Sequence, residues 1–133
     1  MNVITARPPN FAKIAAAFEL RRWPGAIFCY GDTIYNPSGA EITPALLAHE
    51  TAHSERQIIP EAWWDRYLAD KKFRLEEEII AHRVEWLRFC AEGWNRHERR
   101  RYLAAIAGRL ASPLYGSMIT VHGAKRIIEA EAA

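Results

Sequence analysis

Apolar residues recur at helical spacing along most of this chain. Phe11, Ile14, Ala15 and Phe18 fall at i, i+3, i+4 and i+7, so a first helix is expected from a cap at Asn10 to about residue 20. Trp23-Pro24-Gly25 breaks that period. Two short β-like runs follow, residues 26–30 and Thr33–Tyr35, joined by the turn pair Gly31-Asp32 and closed by Asn36-Pro37-Ser38-Gly39. Thr43-Pro44 opens a second helix, expected to reach about residue 57, because threonine caps well and a proline at the first helical position gives up no needed N–H. Pro60 begins a short helix to about residue 70 that carries Trp63, Trp64, Tyr67 and Leu68. A long helix is expected from about residue 73 to 92, stopped at Gly93. Another, capped by Asn95, runs to about 110 and ends at Ser112-Pro113, and a last one covers 121–130. The pattern predicts an α+β fold, a mostly helical single domain over residues 1–133 with a small β-hairpin before the second helix.

Composition narrows the class. A chain of 133 residues with 50% hydrophobic content can bury one core without disulfides, which excludes a disordered polymer. The balance of 18 basic and 16 acidic residues is too even for an obvious nucleic-acid binder. No apolar run approaches the ~20 residues of a membrane-spanning helix, and residues 1–9 hold no signal-like stretch. A cytoplasmic protein without nucleic-acid or membrane partners is expected. Cys29 and Cys90 are too few for a Cys-rich metal cage and read as small buried hydrophobes.

Residues 49–53 carry the chemistry: His-Glu-Thr-Ala-His. Two histidines four apart lie about 40° apart around a helix, so both imidazoles reach one point. Zn²⁺ accepts such nitrogens at ~2.0–2.1 Å. Glu50 is offset by about 60° from the direction of His53, which suits a general base acting on water at the ion rather than a ligand. With this His and Glu content, HExxH arises by chance in roughly 2% of such chains, and here it falls on a segment that reads as a capped helix. The competing reading is a pair of surface histidines.

A catalytic zinc site takes a third protein ligand. The metzincin extension would need Gly at 56 and His at 59, where this chain has Arg56 and Ile59. A carboxylate from the long helix is the other solution, and Glu76, Glu77 and Glu78 compete for it. With Leu75 at 0° on a helical wheel, Leu75, Ile79, Trp86 and Phe89 form the main apolar stripe. Glu78 borders it at about 300°, beside His82 at about 340°, which favours Glu78. A second apolar cluster of Ile80, Val84 and Leu87 keeps Glu77 open, if that side faces the zinc helix.

A hairpin, HExxH on a helix, then a helix with Glu-x-x-Ala resembles the gluzincin-type zinc metallopeptidases in minimal form. The tracts TIYNPSGAEITPALLAHETAHSERQ and WWDRYLADKKFRLEEEIIAHRVE also resemble short HExxH proteins of phages and prophages. The resemblance covers residues 33–88. It implies Zn²⁺ on His49 and His53, Glu50 as catalytic base, and Glu78 (in Glu78-Ile-Ile-Ala81) as third ligand. It also implies a substrate peptide paired with the hairpin edge at Thr33, Ile34 and Tyr35. Many such proteins have Asp after that alanine; this chain has His82. His122 and Tyr115, near a C-terminal loop, are further candidates for a transition-state donor. The arginine-rich residues 96–101 read as a solvated helix face. The expectation is a zinc-dependent metallohydrolase, a peptidase acting on peptide or protein. The alternative is a non-catalytic zinc-containing interaction module.

Overall fold

The computed structural model describes residues 1–130. Strand β1 (Asn2–Ile4) is followed by helix α1 (Phe11–Ala17) and a 3₁₀ turn at Leu20–Arg22. The hairpin β2 (Phe28–Tyr30) and β3 (Thr33–Tyr35) comes next. Helices α2 (Pro44–Arg56), α3 (Pro60–Ala69), α4 (Lys71–Ala91) and α5 (Arg96–Leu110) then run in succession, and a 3₁₀ turn at Pro113–Tyr115 precedes α6 (Val121–Glu129). The mostly helical α+β domain expected from the sequence is the architecture observed.

Side-chain caps set the starts of α2, α4, α5 and α6, whereas Asn10, the cap expected for α1, precedes that helix without a side-chain cap bond. Thr43 accepts from the Leu46 N–H, Asn95 from Glu98 and Thr120 from Gly123. Asp70 accepts from Lys72 and Phe73, so α4 begins at Lys71, a little before the start expected from its apolar period. Helix α1 stops at Ala17 rather than near residue 20. Phe18 turns extended and its ring lies 4.7 Å beneath the Arg74 guanidinium.

The sheet corrects one expectation. Strand β1 was not anticipated, and it pairs parallel with β3, while β2 pairs antiparallel on the other side. The order is β1-β3-β2, so Thr33, Ile34 and Tyr35 form the middle strand and present no free edge to a peptide. Gly31, at φ +63, makes the tight turn between β2 and β3. The hairpin is fastened to the end of α2: Gln57 Oε1 accepts from the Gly31 N–H at 2.8 Å, its Nε2 donates to the Cys29 carbonyl at 2.9 Å, and the Ser54 hydroxyl donates to the Gly31 carbonyl.

Two apolar clusters flank the centre. One joins α4, α5 and α6 through Leu75, Leu103, Ile106, Leu110 and Ile128; the other joins α1, β2 and α3 through Ile14, Phe28, Trp63, Trp64 and Tyr67. Helix α2 packs along α4 between them. Ala45, Ala52 and Ala81 are buried in this region, and their small side chains allow close backbone approach. The second apolar cluster of α4 is outside: Val84 and Leu87 are exposed. The polar side of α4 that borders Leu75 is therefore the one turned toward α2.

Candidate metal centre

His49 and His53 stand one turn apart on α2, and Glu78 faces them from α4; all three are buried. Their donor atoms form a tight triangle. His49 Nε2 lies 3.0 Å from Glu78 Oε1, His53 Nε2 lies 3.2 Å from the same oxygen, and the two nitrogens are 3.2 Å apart. Donors bound tetrahedrally to zinc at ~2.0–2.1 Å are themselves about 3.3–3.4 Å apart. The three atoms fit one small divalent ion.

Glu77 sits on the same helix and is equally buried, but its carboxylate is committed elsewhere. Arg56 Nε donates to both its oxygens at 2.9 Å, and the Trp63 indole donates to Oε1 at 2.7 Å. Glu76 is exposed. Of the three glutamates, Glu78 is the one brought to the histidines.

A second carboxylate, which the sequence reading did not single out, orients the site from behind. Glu85 Oε1 accepts from His49 Nδ1 and from His82 Nδ1, each at 2.8 Å, and its Oε2 accepts from the Tyr102 hydroxyl at 2.5 Å. A carboxylate can only accept, so both histidines carry a proton on Nδ1, and Nε2 of His49 is left for the ion. Support for His49 thus comes from a residue one turn beyond position 82, while His82 itself is buried in the cluster. His49, Glu78 and His82 form a group whose ligand atoms lie within 4.8 Å of one another. Tyr67 donates to Glu78 Oε2 at 2.5 Å and holds that carboxylate from the other side. His53 has less support: its Nδ1 is buried without a hydrogen-bond partner among the described residues, and its ring packs edge-on against Trp63.

The electrostatics suit a cation. Burial works to lower the His49 pKa, but hydrogen bonds to Glu78 and Glu85 outweigh it and raise it to about 10. Burial works to raise Glu78, yet the His53 charge and the two histidine bonds hold it well below the usual carboxylate range. A metal ion takes the place of such a held proton. Glu50 differs: burial raises its pKa against the lowering influence of His49 and His53, and its carboxylate makes no hydrogen bond among the described residues. Burial pushes the Cys29 thiol up to about 12, so it stays protonated and is no nucleophile at neutral pH.

His49, Glu50, His53, Glu78 and His82 line one cleft of about 820 Å³. The segment before β2 and the end of α5 with the following 3₁₀ turn also line it. Trp63, Trp64 and Tyr67 serve both the core and this cleft. Tyr115 lines it too, its hydroxyl kept protonated by burial and by the charge of Glu78. Thr33, Ile34 and Tyr35 are outside the lining, and His97 and His122 are exposed away from it. Residues 96–101 lie at the start of α5, with four of the six exposed. Among the described residues, no helix is long and apolar enough to cross a membrane. Protein-family models, curated proteins and solved structures give no match to this chain.

Proposed function

We propose that the protein is a zinc-dependent metallohydrolase, a peptidase, with His49, His53 and Glu78 holding the ion and Glu50 as general base. The observation that carries this is the donor triangle with sides of 3.0–3.2 Å beside an unpaired, buried glutamate in the floor of an open cleft. Zinc held there supplies Lewis-acid polarisation of a carbonyl and lowers the pKa of water toward ~7. Glu50 takes a proton from water in the cleft floor and returns it to the leaving amine; its raised pKa brings it closer to neutrality, where a base that must also give the proton back works best. Tyr115 is the protonated hydroxyl available to an oxygen that gains negative charge.

Glu50→Gln tests the base. It should keep zinc and fold while losing hydrolysis of any peptide the wild type cleaves. Equal activity in both proteins would contradict the assignment.

One observation favours the alternative, a non-catalytic zinc-containing interaction module. If His82 joined the other three donors, the ion would have four protein ligands, the closed set of structural zinc sites. X-ray absorption of the zinc-loaded protein counts the imidazoles. Two support the hydrolase, and three, with no turnover by wild type or Glu50→Gln, support the module.

A further inference from the structure

The cleft distributes its charge unevenly. Among the described residues, its acidic lining is Glu50 and Glu78, both in the floor beside the histidines. Its guanidiniums are Arg22 and Arg109, both on exposed residues. Arg22 is engaged by Glu19 at 2.7 Å. Arg109, in the last turn of α5, forms no ion pair among the described residues. Arg109 and Tyr115 both belong to the cleft lining. The α5 wall around Arg109 is low: Ala105 and Gly108 also line the cleft, and a Cβ built on Gly108 would meet nothing within 4 Å. The lining also includes Trp23, which is half-exposed. A cleft whose lining combines the proposed hydrolytic groups, an exposed indole and an arginine without an ion pair suits a short anionic peptide.

We propose that Arg109 is a specificity residue that anchors a substrate carboxylate. This rests on the metal-centre reading and narrows its substrate class to carboxylate-bearing peptides. A planar guanidinium suits the purpose because it can give a carboxylate two parallel hydrogen bonds. The carboxylate has two chemical sources, the free C-terminus of a short peptide or an acidic side chain within a longer one. The first makes the enzyme trim chain ends, and the second makes it cut inside them.

The test uses binding rather than turnover. Three peptidyl hydroxamates, which take hold of zinc directly, share one backbone: one ends in a free carboxylate, one in a carboxamide, and one in a carboxamide with a glutamate side chain at the same position. Calorimetry on the full, zinc-loaded chain should show a carboxylate probe binding about ten-fold more tightly than the plain amide, the scale of one charge-assisted contact at a partly wet rim. Arg109→Gln should erase that preference and leave amide binding unchanged, while Arg109→Lys retains part of it. Preference for the free acid assigns the C-terminus, and preference for the glutamate probe assigns the side chain. Equal binding of all three probes to wild type, or a preference that survives Arg109→Gln, overturns the Arg109 role while leaving the metal centre standing. Failure of all three to bind zinc-loaded protein overturns the metal reading and this inference with it.

Discussion

Glu85 shows how much a single buried side chain can decide. Three donors converge on it from α2, α4 and α5: His49, His82 and Tyr102. Burial alone would raise its pKa, but the two histidine N–H bonds hold it well below the usual carboxylate range. It stays ionised and fixes the ring orientation of His49. Removing such a partner of a metal-bound histidine costs roughly 10–100-fold in affinity. Glu85→Gln should therefore weaken zinc binding by about that factor, whereas Glu76→Gln, on the exposed side of the same helix, should not change it. A competition titration with a chromophoric chelator reads both, and equal affinities would remove the role given to Glu85. A signal for this residue is present in the chain. Glu78, His82 and Glu85 are spaced i, i+4, i+7 and so share one stripe of α4 beside the apolar one. What the spacing could not say is which partners meet that stripe, because His49 and Tyr102 arrive from elements 36 residues before and 17 after.

At the scale of elements, helices were legible because their period, caps and breakers are local. Thr43-Pro44, Asn95 and Thr120 cap where such residues are expected to, and α2 places both histidines on the buried side. That Glu78, rather than Glu77, would lie beside the histidines was also legible, since the wheel set it against the stripe whose Leu75 and Phe89 are buried. Strand β1 was not. Three exposed residues with no alternation carry no strand signal, and their pairing depends on β3, some thirty residues away. The resemblance implied a free edge at Thr33–Tyr35, and β1 is the strand that occupies it. Arg74 was invisible for the same kind of reason. It is buried because its guanidinium donates to the carbonyls of Tyr67, Leu68 and Leu114, tying the end of α3 and the 3₁₀ turn after α5 to α4. Helix α5 offers a test of element stability. Gly108 lies inside it, and a Cβ there meets nothing. Gly108→Ala should raise unfolding free energy by about 0.5–1 kcal/mol through backbone entropy alone, read as a higher denaturant midpoint. A lower midpoint would mean that the α5 wall is packed more tightly than described.

Across the whole molecule, two apolar clusters and a polar seam between α2 and α4 divide the interior, and the seam holds the proposed metal centre. The seam concentrates His49, Glu50, His53, Glu78, His82 and Glu85 in buried positions. Burying so many ionisable groups is costly unless they pair with one another or share an ion. A divalent cation in the triangle of His49, His53 and Glu78 would replace the proton shared there and neutralise its charge. Zinc should therefore stabilise the fold as well as equip the cleft. The most direct test is a zinc titration of the chelator-stripped protein, carried out side by side on wild type, Glu78→Gln and Glu77→Gln. The account predicts one zinc per wild-type chain, an affinity lower by orders of magnitude in Glu78→Gln, and an affinity near wild type in Glu77→Gln. No zinc bound by wild type, or the larger loss in Glu77→Gln, would contradict it.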